Sequence, residues 1–150
     1  MIISFGWTTP ALIAGCKQVT RRDWNPKHAA RFKAGMLIDA WNTSPRNVRG
    51  KPHKVALIRL TADPYLEDSA AFDVGGPDDE AEGFQWLIKH GHGETVGDII
   101  EGWLSRPRPL YVVRFEVVEF LHFIDPEEPE KDSPRGANMI VRFWPEGFQL

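Results

Sequence analysis

Lys17, Thr20, Arg21 and Arg22 bring an amine, a hydroxyl and two guanidiniums together, directly after a glycine, Gly15, that ends a short apolar segment. Each group has a chemical use. An amine can take or give a proton, a hydroxyl attacks once a base removes its proton, and guanidiniums grip phosphate or carboxylate with paired N–H donors. Lys17 can act as that base only if burial or cationic neighbours lower its pKa from about 10.4 toward neutrality, and Arg21 and Arg22 push in that direction. Geometry sets a condition. Residues i and i+3 of a regular strand face opposite sides, so Lys17 and Thr20 converge only if the strand bulges or begins after Lys17, which Gly15 permits. The same residues also read as a solvated lysine, a strand threonine and structural ion pairs. Trp7 and Trp24 flank the segment, and either can stack on a nucleobase. Ser4-Phe5-Gly6-Trp7 leads straight into it, which places Ser4 and Trp7 among the candidate binding residues. Cys16 reads as a small buried residue, not a thiolate nucleophile.

The elements that must position these residues follow from pattern and punctuation. Met1 to Phe5 is a short apolar strand. Thr8 as N-cap and Pro10 in the first turn predict a helix from Thr9 to Ala14, stopped by Gly15. Cys16 to Arg22 reads as extended, Asn25-Pro26 opens a helix from Lys27 to Lys33, and Met36 to Trp41 reads as a strand. Asn42 to His53 is a basic, turn-rich loop, and Val55 to Thr61 is the expected central strand. Ala62 to Pro77 reads as an acidic connector. Asp78 caps a predicted helix from Asp79 to Lys89, and Thr95 with Asp98 resembles a capping box for a helix from Val96 to Leu104. Leu110 to Ile124 carries the strongest strand signal, with Val113, Phe115 and Val117 on one face. Asp125 to Gly136 is charged and Pro-rich, and Met139 to Trp144 reads as a last strand. Strands interrupted by short helices, without strict βαβ alternation, predict an α+β fold with a small mixed barrel over residues 1–124 and a tail over 125–150.

Composition narrows the function classes. At 150 residues, 42% hydrophobic and 26% charged, the chain has the makeup of one globular domain able to bury its own core. No apolar run approaches the roughly 18–20 residues of a membrane span, and the N-terminus lacks the basic-then-apolar order of a signal peptide. One cysteine fits a reducing compartment, so a cytoplasmic protein is expected. The net charge of −3 conceals a polarity along the chain: up to Arg59 there are eleven Lys or Arg against two acids (+9), and beyond it seven against nineteen (−12). A basic half of this kind suits contact with RNA or a nucleotide. An acidic second half that binds a basic protein, as in a non-catalytic interaction module, is the alternative. No zinc, P-loop, Rossmann or Gly-x-Ser-x-Gly pattern is present, and no cofactor or metal is expected.

Gly15-x-Lys17-x-x-Thr20-x-Arg22 after a short helix resembles the signature of the ASCH domain, a PUA-like β-barrel. Ala34-Gly35-Met36-Leu37, Ala81-Glu82-Gly83-Phe84 and Tyr111-Val112-Val113-Arg114-Phe115 extend the resemblance over about Ser4 to Glu119. It implies a PUA-like barrel whose pocket handles RNA, a nucleoside or a modified base. Some members of the family are nucleoside amidohydrolases with a Lys, Thr and Glu set, and others are described as single-strand ribonucleases. Carried over, that set becomes Lys17, Thr20 and Glu82, with Arg21, Arg22, Trp7 and Ser4 contacting substrate. Glu82 would orient the amine, shuttle a proton or contact an exocyclic amino group. This chain departs from the compact amidohydrolases in having Met36 where an acid usually follows the glycine, and extra loops at 42–53 and 62–77. Metal-independent amide hydrolysis, phosphodiester hydrolysis and non-catalytic reading all remain open at this level.

Overall fold

A computed structural model describes residues 1–121 as a mixed α+β unit. Its strands are β1 (Ile2–Ser4), β2 (Val19–Arg22), β3 (Leu37–Trp41), β4 (Lys54–Leu60), β5 (Tyr65–Asp68) and β6 (Pro109–Phe120). Its helices are α1 (Thr9–Ile13), α2 (Pro26–Ala29), α3 (Pro77–Ala81), α4 (Phe84–Leu87) and α5 (Gly93–Ser105). The proposed tail segment Asp125 to Gly136 and the strand Met139 to Trp144 lie outside the described residues.

The strands form one curled sheet, a half-barrel, in the order β1-β3-β4-β6-β2, with β5 also on β6. β6 is its spine. The second half of β6 pairs with β4 (Ile58 opposite Val117), and its first half pairs with both β5 (Tyr65 opposite Val112) and β2 (Arg21 opposite Val112). One residue cannot offer the same edge to two strands, so β5 continues the β4 side of β6 and β2 takes the other. β1 joins β3 in parallel and closes the opposite end of the order. Val, Ile and Phe on the concave face fill the curl: Ile3, Phe5, Ile38, Val55, Ile58, Val113 and Phe115 are buried together, with Phe5 edge-on to Phe115 at 5.5 Å. A second apolar cluster (Phe72, Phe84, Leu87, Val96, Trp103, Leu110) holds the helices against the β6 start.

Several local expectations are corrected. The Thr8 hydroxyl donates to the Phe5 carbonyl at 2.7 Å and does not cap α1. Asn25 does cap α2, accepting from the His28 amide at 2.8 Å, but that helix ends at Ala29. α5 begins at Gly93, so Thr95 lies inside the helix and forms no capping box. The acidic connector contains a strand, β5, and the helix expected from Asp79 to Lys89 divides at Gly83. Asp78 sits in the first turn of α3 behind Pro77, with Gly76 at the cap position. Trp24 stacks on Phe32 at 4.6 Å, a packing role.

Candidate functional site

The division at Gly83 builds the site. Gly83 has φ +84°, in the left-handed region, and a Cβ there would stand 2.7 Å from the Ala11 Cβ and 3.4 Å from the Lys17 Cβ. Only glycine meets both conditions. The turn ends α3 at Glu82 and presses the start of α4 onto α1 and the Cys16–Lys17 segment. The Gln18 amide donates to the Ala81 carbonyl at 2.7 Å and ties the two segments together. Glu82 therefore stands at the C-terminal end of α3, not in a first turn, where the helix field disfavours a carboxylate. Cations compensate it instead.

Lys17 and Glu82 are the centre of that compensation. Both are buried, at 1% and 2% exposure, and the Lys17 Nζ donates to Glu82 Oε1 at 2.8 Å and to the Glu82 carbonyl at 2.9 Å. The other carboxylate oxygen, Oε2, accepts from Arg21 Nη1 at 2.9 Å. Burial pushes the Lys17 amine below its ordinary pKa, with Arg22 and Arg21 adding to the effect and Glu82 opposing it. β2 begins at Val19, so Lys17 precedes the strand and the alternation rule does not separate it from Thr20. Both side chains reach one cavity.

Thr20 and Arg22 share a face of β2. Arg22 Nε donates to Thr20 Oγ1 at 3.0 Å, and its Nη2 donates to the Ser4 carbonyl at 2.6 Å. That second bond spans the gap between β2 and β1, the two ends of the half-barrel order. Arg22 also lies over the Phe5 ring at 5.3 Å. Its partners are neutral, and burial lowers its pKa to about 10. Arg21 is different. Its side chain is 3% exposed and meets three carboxylates: Glu82, Glu67 at 3.0 Å and Asp78 at 2.6 Å. Phe72 and Trp103 pack against its guanidinium at 5.0 and 5.9 Å.

Ser4, Trp7, Lys17, Thr20, Arg21, Arg22 and Glu82 all line a cavity of about 470 Å³ at this seam. Its walls include Phe84, Trp103 and Leu110, and Trp7, exposed, stands at its rim near His92. An amine with lowered proton affinity, a hydroxyl and a guanidinium with neutral partners thus converge on a space of small-ligand size. Sequence reasoning missed Asp78, Glu67 and Arg114. Arg114 donates to both oxygens of Asp78 at 2.9 Å and so extends the ion-pair chain through the sheet. Arg114 lies opposite Val19, diagonal to Arg21 across the β2–β6 pairing, a placement with no local sequence signal. Cys16 does not line this cavity; it faces another with Trp86 and Lys89, and burial pushes its thiol pKa up.

No family model and no curated protein matches the chain. A solved structure, the protein EF3133 from Enterococcus faecalis V583, described under the family model DUF984, is similar over 79% of this chain and 76% of that one, at 18% identity and a TM-score of 0.48. A likeness of that degree assigns no family. Among the described residues no helix is long and apolar enough to cross a membrane.

Proposed function

We propose that this chain is an ASCH-type, PUA-like domain that binds a nucleoside, free or within RNA, in the seam cavity and hydrolyses an acyl amide on its base. The observation that carries the reading is the buried Lys17–Glu82 pair opening onto the same cavity as Thr20. Thr20 Oγ attacks the acyl carbon and gives its proton to Lys17 in those molecules whose amine has lost its own, a form that burial favours. The carbon–nitrogen bond breaks as Lys17 returns that proton to the leaving exocyclic amine. Water then cleaves the acyl-threonine ester, releasing a carboxylic acid and restoring Thr20. Arg22, held beside the nucleophile by its hydrogen bond to Thr20 Oγ1, would supply positive charge to the oxyanion of each tetrahedral intermediate. Glu82 fixes the amine through two contacts and stabilises it while it carries the proton. Trp7 offers a stacking face at the entrance.

The resemblance around Lys17, Thr20 and Glu82 supports the same substrate class, and the cavity size suits a single nucleoside better than a longer fragment. The binding half of the reading is tested by titrating cytidine, acylated nucleosides and short single-stranded RNA while following backbone amides and indole N–H groups by NMR. Saturable shifts at Thr20, Arg22 and the Trp7 indole are expected. Shifts confined to the basic loop, or to the acidic second half with a basic protein, would overturn it.

A further inference from the structure

The carboxylate of Glu82 is divided: one oxygen serves Lys17 and the other serves Arg21. Arg21 cannot turn away to grip a ligand without leaving three carboxylates, since Glu82, Glu67 and Asp78 hold it from α3 and β5 while Phe72 and Trp103 close over its plane. Asp78 is held in turn by Arg114 from β6. The result is an unbroken line of alternating charge, Arg114, Asp78, Arg21, Glu82, Lys17, that runs from the outer sheet to the cavity.

We propose that Arg21 is a positioning residue, anchored by Asp78 and Glu67, that draws half of the Glu82 carboxylate away from Lys17 and thereby sets how readily Lys17 gives up its proton. The inference rests on the reading of Lys17 as the base of the site. The groups that face Lys17 are Glu82 from the α3 end and Arg21 and Arg22 from β2, with the apolar Phe84 ring of α4 at 6.0 Å. One step further out stand Asp78, Glu67 and Arg114. Arg21 contributes in two ways. Its charge repels a proton on Lys17, and its Nη1, held in place because Nη2 donates to Glu67 and Asp78, fixes Glu82 Oε2 so that of the two carboxylate oxygens Oε1 alone meets Nζ. Arginine suits this task because its planar fork reaches separate acceptors at once, where a lysine presents a point charge.

The two ends of the line make opposite demands, which separates the proposal from a packing role. Arg21→Gln removes a positive neighbour and leaves Glu82 wholly to Lys17, so the titration midpoint of Lys17 rises. Asp78→Asn removes a negative charge behind Arg21 and leaves Arg21 and Arg114 less compensated, so the midpoint falls. Asp78 does not line the cavity, and its carboxylate is 21% exposed, so this second change removes no cavity-lining group. Loosening of the structure would instead move both variants the same way, toward the value of a solvated lysine.

The experiment is an NMR titration of the Lys17 side-chain Cε in lysine-labelled full-length protein, assigned with Lys17→Arg and needing no substrate. Opposite shifts in Arg21→Gln and Asp78→Asn, with Arg21→Lys lying between wild type and Arg21→Gln, are expected. Equal midpoints in all variants, or shifts of one sign, would overturn the proposal. If Arg21→Gln does not fold, the Asp78→Asn and Glu67→Gln titrations decide, since both must lower the midpoint. Because no nucleoside enters the measurement, its failure is separable from failure of the nucleoside reading, which the ligand titration tests.

Discussion

Replacing Gly83 with alanine tests the fold and the site together. The backbone at Gly83 has φ +84°, a conformation that costs an L-residue about 1–2 kcal/mol. The added methyl also stands 2.7 Å from the Ala11 Cβ, where helix α1 and the Glu82–Phe84 turn meet with no slack. Overpacking of this kind costs about 1–3 kcal/mol, so Gly83→Ala should lose roughly 2–5 kcal/mol. In urea unfolding followed by circular dichroism this lowers the midpoint by about 1–2.5 M for a slope of about 2 kcal/mol/M. The two parts can be separated. Ala11→Gly removes the clashing methyl but leaves the backbone strain, and on its own it costs about 1 kcal/mol as a helix glycine. The double variant should therefore be more stable than the sum of the singles by about 1–3 kcal/mol. Relief of the clash should also restore the Lys17–Glu82 contact, read as recovery of the Lys17 Cε shift. A Gly83→Ala protein within about 0.5 kcal/mol of wild type, or a cycle with no coupling, would mean that the turn relaxes without strain and that Ala11 does not constrain it.

Glu82→Gln should destabilise the protein by about 3–5 kcal/mol, because it leaves two buried cations facing a neutral amide; Lys17→Met combined with Glu82→Gln should recover part of that loss, and a double variant no better than the single would contradict the pairing. Asp78 has its pKa lowered from 3.8, first by its hydrogen bonds from Arg114 and then by Arg21, against some burial. A lowered carboxylate pKa contributes stability that is fully present above 3.8 and lost as pH falls through the lower folded value. Unfolding midpoints of wild type and Asp78→Asn should therefore converge as pH drops below about 4, and parallel curves across that range would contradict the assignment.

The sequence made legible those parts whose signal is local. Val55 and Leu110–Phe115 are rich in β-branched and apolar residues, so β4 and β6 stand where the pattern placed them, to within a residue or so at their starts. Gly15, at φ +80°, ends the α1 segment as its position implied. β5 was not legible. Tyr65–Asp68 is a short, acidic and mostly exposed strand, and its pairing with β6 leaves no alternating apolar trace. The helix read across Asp79 to Lys89 has continuous helical spacing, and the break at Gly83 follows from a contact with Ala11, 72 positions away, that spacing cannot encode. At the site, the Lys17–Thr20–Arg22 spacing was readable because β2 is local. The partners of Arg21 were not, since Glu67 reaches it only through the β5–β6–β2 register and Asp78 only from the first turn of α3.

The measurement that bears most directly on the central claim is mass-spectrometric turnover of a panel of acylated nucleosides and short single-stranded RNAs, with Thr20→Val and Lys17→Met beside the wild type. Wild type should release carboxylic acid and the free nucleoside amine, with turnover lost by about 100-fold or more in both variants, on the scale of removing an activated nucleophile or its base. Turnover undiminished in Thr20→Val, cleavage of the RNA backbone in place of the amide, or no product from any member of the panel would contradict that claim.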